Sequence, residues 1–214
     1  YASERRLHAK ALLDLSVTAG RIFSPRSALL AGLRDATTWV LNFIPPVKRY
    51  FMEMRFKPMP FYENGLVVHE KTRRKNSPVG RMFIQPKVRT RQGEVKLLDD
   101  ALGKGFALLA WGADPNYWLN PRSRAILEAL GAKIVTLKPT VQIDRTVDMT
   151  DRTDVLGDEQ MRFKEWFGQH PGSIVLLRPD RFVAGIAFPI EVDELIAAVA
   201  DKMGLVVNAG GKAR

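Results

Sequence analysis

Apolar positions near the start of the chain recur three and four residues apart. Leu7, Ala11, Leu12, Leu15 and Thr18 fall on one stripe and predict a helix over residues 2–19, with Gly20 as its natural stop. A second helix is expected to begin at once. Ser24 offers an N-cap oxygen, and Pro25 is a first helical residue with no amide to leave unsatisfied; Leu29, Leu33, Ala36 and Val40 then form the inner face. Pro45-Pro46 ends that run, and residues 47–54 read as a short third helix before Pro58 and Pro60 impose extended backbone.

The next stretch reads as a connector because Pro58, Pro60, Gly65, Pro78, Gly80 and Pro86 interrupt it, leaving only Leu66-Val67-Val68 and Met82-Phe83-Ile84 as short apolar runs. These suit edge strands or an arm lying on another surface, and little core is expected from them. Two amphipathic helices cannot hide their stripes against one another alone, so the helical segment is expected to be attached to something larger.

From Val95 onward the pattern changes to α/β. Leu97 to Asp100 suggests a turn of helix, and Gly105 to Trp111 is an unbroken apolar run between glycines, as a strand buried on both faces should be. Residues 121–130 predict a helix capped by Asn120 and ended by Gly131, and Lys133 to Leu137 the next strand. A polar crossover follows; over Glu159 to Phe167, a short helix and an irregular loop both fit. Ser173 to Leu177 and Phe182 to Ala187 predict a hairpin around Arg178-Pro179-Asp180-Arg181, and residues 189–203 a closing helix with Ile190, Leu195, Ile196 and Val199 inward and Gly204 at its end. The order β, α, β, α, β, β, α is that of thioredoxin. The expected organisation is a helical segment over 1–57, an irregular linker over 58–93 and a thioredoxin-like domain over 94–214.

Composition narrows the function. With 214 residues, 46% of them hydrophobic, the chain can bury a real core. A count of zero cysteines excludes a disulfide scaffold, a thiolate metal site and any dithiol couple. The net charge of +10 invites nucleic acid, but the densest basic cluster, Lys71, Arg73, Arg74 and Lys75 with Arg81, Lys87, Arg89 and Arg91, lies in the linker without aromatic residues spaced for base stacking. No nucleic acid partner is expected. No charge-free stretch is long enough to cross a bilayer, so no membrane association and a cytoplasmic location are expected; the opening Tyr1, in place of Met, points to a longer parent.

Chemistry is sparse. In a thioredoxin-like reductase two thiols would sit where the first strand meets the following helix, the region here occupied by Trp111 to Trp118. Its aromatics read as a cover for the end of the sheet or as an interface, with Trp111, Tyr117 and Trp118 as candidate contacts beside Leu15 and Leu33 of the helical stripes. Gly103-Lys104-Gly105 precedes a strand and so is no dinucleotide cradle. His8, His69 and His170 are scattered, and His69-Glu70 is too poor a ligand set for a metal. Asp99-Asp100, Asp144, Asp148, Asp151, Asp154 and Asp158 are interleaved with arginines and read as solvated. No catalytic, cofactor-binding or metal-binding residue is assigned.

The segments Tyr1 to Ala9, Leu15-Ser16 with Ala19-Gly20, Arg34-Asp35, Met54 to Pro58, Gly80 to Val88, Leu97 to Leu109 and Leu176 to Ala184 resemble, in order and over nearly the whole chain, the C-terminal region of the flavoprotein aromatic hydroxylases of the 3-(3-hydroxyphenyl)propionate hydroxylase and phenol hydroxylase type. The resemblance implies a parent monooxygenase that uses FAD and NAD(P)H to hydroxylate a phenolic compound. It also implies a C-terminal thioredoxin-like domain without thiols, with the flavin and substrate machinery N-terminal to Tyr1 as this chain's partner region. Residues 1–57 would then end that machinery, and a homodimer is expected from the uncovered stripes. An independent, redox-inactive interaction module is the alternative.

Overall fold

The computed structural model describes residues 2–25, 27–53, 59–71, 76–145 and 153–205. The side chains of Leu7 and His8, the Met54 to Pro58 motif, the basic residues Arg73 to Lys75, and Asp148, Asp151 and Arg152 lie outside the described residues. The chain divides into two compact units, Tyr1–Phe61 and Tyr62–Arg214.

The first unit is helical: α1 spans Ala2–Phe23, α2 Ala28–Asn42 and α3 Pro45–Met52. Gly20 does not stop α1. The Ser24 amide donates to the Gly20 carbonyl at 2.9 Å, and the exposed final carbonyl of Phe23 accepts from Arg34 Nη1 at 2.7 Å. Nor does Ser24-Pro25 open α2, whose N-cap is Ser27. Two serines precede that apolar run, and the Pro25 that follows the first does not make it the cap. Pro45 and Pro46 begin α3, where absent amides cost nothing. No residue of α2 or α3 is buried, and Leu29 and Leu33 are 79% and 63% exposed.

The second unit is built on a seven-stranded sheet of order β2-β1-β5-β4-β3-β6-β7, comprising β1 (Lys87–Arg89), β2 (Val95–Leu97), β3 (Ala107–Trp111), β4 (Lys133–Pro139), β5 (Thr153–Asp158), β6 (Ile174–Leu177) and β7 (Val183–Ala187). Strands β3, β4 and β5 run parallel; β6 pairs antiparallel with β3, β7 with β6, and β1 with both β5 and β2. The helices are α4 (Leu98–Leu102), α5 (Pro121–Ala129), α6 (Arg162–Gln169) and α7 (Val192–Met203). The parallel β3-α5-β4 unit, followed by the β6-β7 hairpin and returning α7, makes the domain thioredoxin-like.

Alternation along the central strands builds two cores. Leu109, Val135, Val175 and Leu177 face Phe163 and Phe167 of α6 with Leu98 and Leu102 of α4. Leu108, Ala110, Ile174 and Leu176 face Ile126 and Leu127 of α5 with Ile196 and Val199 of α7. Each such side chain contributes about 1.5–3 kcal/mol on burial.

Three expectations are corrected here. Residues 62–71 and 76–93 pack as part of the domain: the Val68 amide donates to Ala184 O at 2.7 Å, Gly80 to Val183 O and Phe83 to Arg181 O, both at 2.9 Å, so they strap the free edge of β7. Tyr62, Val67, Val79 and Phe83 are buried in it. Their apolar contributions are too widely separated to produce a periodic signal. The polar crossover contains β5, which lies between β4 and β1 and buries Val155 and Leu156. Finally, Ile190 is 91% exposed because it sits in a 3₁₀ turn, Pro189–Glu191, ahead of α7, where the helical phase does not reach.

Candidate functional site

The loop after β3 is the place where a thioredoxin-like reductase would carry its thiols. Gly112, at φ 82°, turns the chain away from the strand, and its amide donates to Leu137 O at 2.8 Å. The loop then folds back over the sheet, with Thr136 Oγ1 donating to Ala113 O at 3.2 Å. Asp114 caps a 3₁₀ turn, Pro115–Trp118, by accepting from the Asn116 amide at 2.9 Å. Its Oδ1 also accepts from the Thr153 hydroxyl at 2.8 Å, and that hydroxyl accepts from Asn116 Nδ2 at 2.5 Å. Asp114, Asn116 and Thr153 are all buried.

This network ties the loop after β3 to the start of β5. Its chemistry is structural: each member gives or receives a hydrogen bond whose loss would leave a buried polar group unsatisfied. No signal in the sequence marks this network, because Thr153 lies 39 positions from its partner Asp114. The loop leads directly into α5, where Asn120 Oδ1 accepts from the Ser123 amide at 2.8 Å as the sequence predicts. The Asn120 amide donates in turn to Asp193 Oδ1 of α7 at 3.1 Å.

The candidate interface residues separate. Tyr117 and Trp118 are 61% and 37% exposed on the 3₁₀ turn. Trp111 is half-buried and packs against the α6 core, its ring 6.4 Å from that of Phe167. Leu15, half-buried, and Leu33, exposed, belong to the first unit.

Several titratable groups are engaged in packing and pairing. His69 Nε2 lies 2.9 Å from Glu63 O, while buried His170 sits 4.4 Å from the Trp166 ring. Among the described residues no group of three or more His, Cys, Asp or Glu side chains could hold a metal. Asp158 is not solvated; its two oxygens accept from the amides of Arg162, Phe163 and Lys164 at 3.1, 2.9 and 3.1 Å, capping α6. Arg89 Nε donates to Glu159 at 2.5 Å and holds that carboxyl below the usual carboxylate range; the Thr140 hydroxyl adds to the effect. Lys71 pairs with Glu194 at 2.8 Å, which raises the ammonium above its ordinary value. A cavity between Lys71, Ser173, Phe188 and Glu191 measures about 200 Å³, short of the roughly 300–1,000 Å³ of ordinary small-molecule sites. No helix among the described residues is long and apolar enough to cross a membrane.

The HcaD C-terminal domain model matches residues 80–202. The chain belongs to the HcaD C-terminal domain family. That match opens inside the strap and closes in α7, so the family domain includes residues placed before 94. The 3-(3-hydroxy-phenyl)propionate/3-hydroxycinnamic acid hydroxylase of Klebsiella pneumoniae (strain 342) is 46% identical over 208 residues, covering 97% of this chain and 37% of that protein. The hydroxylase of the same description from Escherichia coli (strain SMS-3-5 / SECEC) is 47% identical over 205 residues, covering 96% of this chain and 37% of that protein. The chain thus spans little more than a third of the length of these curated relatives. Among solved structures, the flavin-dependent monooxygenase PieE, in complex with FAD and substrate, aligns with 87% of this chain and 31% of its own at 13% identity and a TM-score of 0.49.

Proposed function

We propose that this chain is the C-terminal part of an FAD- and NAD(P)H-dependent monooxygenase that hydroxylates a phenolic aromatic compound. The observation that carries the reading is the extent of similarity: 46% identity to a hydroxylase runs through the helical unit as well as the family domain. The exposed apolar surface of α2 and α3 supports it, since such a surface calls for a cover, and the flavin and substrate region of the longer enzyme would supply one. The flavin, when bound there, supplies the redox chemistry, with the nicotinamide as electron donor. The role assigned to this chain is packing and association of subunits into a homodimer, in the cytoplasm where NAD(P)H is at hand.

The test is to express the complete reading frame that contains these residues and measure bound flavin together with NAD(P)H oxidation on addition of 3-(3-hydroxyphenyl)propionate and other phenols. Stoichiometric FAD and phenol-dependent oxidation are expected. A reading frame that starts beside Tyr1 and yields a flavin-free protein would establish the alternative, a free-standing interaction module.

A further inference from the structure

The β6-β7 hairpin opens beyond its last paired residues, Ile174 and Ala187, and leaves Ser173 and Phe188 on either side of the gap. A cavity of about 200 Å³ lies there. Gly172, at φ 69°, backs onto the Phe188 ring, and the Glu191 amide donates to Phe188 O at 2.9 Å, which fixes the turn on the far side. The strap supplies the remaining wall: the Val68–Ala184 bond lays it along β7, so that Glu70 and Lys71 reach the open end of the hairpin. Because Ile174 also pairs with Ala110 of β3, the cavity opens at the end of the sheet from which the Trp111 to Trp118 loop leaves.

Two polar groups of the lining accept no bond within the domain. Ser173 is only 5% exposed, yet its hydroxyl has no hydrogen-bond partner among the described residues, a costly state for a buried group. The Glu191 carboxylate likewise accepts no hydrogen bond among them. Lys71 gives its bond to Glu194 at 2.8 Å and acts on Glu191 through charge alone. Ile186, Ala187 and Phe188 make the other walls apolar.

Size and chemistry together define the ligand. A dry cavity of about 150 Å³ holds one benzene ring, so this one takes a ring with a short tail. Ser173 Oγ and the Glu191 carboxylate both accept, and a primary ammonium, with three donors and no acceptor, is the head group that answers to both. Its bond to Glu191 is charge-assisted and so a strong one. A carboxylate ligand would meet Glu70 and Glu191 as like charges.

We infer that the cavity between Ser173, Ala187, Phe188 and Glu191 binds a small primary amine whose apolar stem is the size of a single ring. Such a site belongs to the thioredoxin-like domain alone and needs no flavin.

Amide NMR titration of the 214-residue chain with phenethylamine tests it. Saturable shifts are expected at Ser173, Ala187, Phe188 and Glu191, with phenethyl alcohol bound about tenfold more weakly and hydrocinnamate not at all, since only the amine makes charge-assisted bonds. Glu191→Gln should weaken the amine by about tenfold and leave the alcohol unchanged, a split that general loosening of the fold would not produce. Ser173→Ala should weaken both. Circular dichroism melts matching wild type show that each variant folds. No saturable shift at millimolar amine, shifts centred elsewhere, equal affinity for amine and alcohol, or an equal loss of both in Glu191→Gln overturns the inference. None of these outcomes bears on flavin binding by the longer enzyme, so the two readings fail separately.

Discussion

Arg181 donates through Nε to Asp99 Oδ1 at 2.9 Å, joining the turn between β6 and β7 to α4 across 82 positions of sequence. The same guanidinium donates to the carbonyls of Gly103 and Gly105, while Gln85 Nε2 donates to the other Asp99 oxygen at 2.6 Å. Arg181 holds this position at φ 65°, a left-handed conformation that a bulky residue adopts only when its surroundings enforce it.

Replacing Asp99 with Ala is therefore expected to destabilise the domain by about 1–3 kcal/mol, because it leaves a largely buried guanidinium with fewer partners. Arg181→Ala in that background should cost markedly less than Arg181→Ala alone. A double-mutant cycle by urea denaturation measures the difference; full additivity would show that the two side chains do not act together.

Asp158→Ala removes the acceptor of three amides at the start of α6 and should cost about 1–3 kcal/mol. Amide hydrogen exchange at Phe163 and Lys164 should quicken before the rest of the sheet does. Unchanged protection there would mean that packing of Phe163 holds the helix without its cap.

A Cβ at Gly105 would stand 2.5 Å from the Gly131 carbonyl oxygen, a backbone atom that cannot swing aside. Gly105→Ala is expected to lower stability by about 1–3 kcal/mol, the range for overpacking. A thermal midpoint equal to wild type would show that the turn after α5 yields.

Arg89 depresses the Glu159 pKa, chiefly through its hydrogen bond. A carboxyl depressed in the folded state adds stability that is present above its unfolded pKa and is lost as pH falls through its folded one. The stability gap between wild type and Glu159→Gln should accordingly be open at neutral pH and close in acid. Urea midpoints measured across that range check the sign, and a gap that widened in acid would refute the pairing.

Much of the thioredoxin-like order was legible because β3 and β6 are buried on both faces and read as unbroken apolar runs, and because Asn120 and Gly204 cap α5 and α7 by local chemistry. What escaped depends on distant partners. β5 reads as polar because its Thr153 and Asp158 find partners far along the chain or in the next helix, at Asp114 and at the start of α6. The strap reads as linker because its amides spend themselves on β7. Tyr117 and Trp118 could be singled out by residue type, whereas Ile190 could not, since its exposure follows from a 3₁₀ turn that breaks the helical phase.

The strap also sets where this domain can be separated from its neighbours. Cutting at residue 94, where the sequence first turns recognisably α/β, would strip β7 of its hydrogen-bonded cover and remove Tyr62, Val67, Val79 and Phe83 from the core. The remainder would offer an unprotected strand to any other chain, the usual start of aggregation. A piece made for gene fusion is therefore expected to stay soluble when it begins at Tyr62, where the second compact unit starts, and to aggregate when it begins at residue 94.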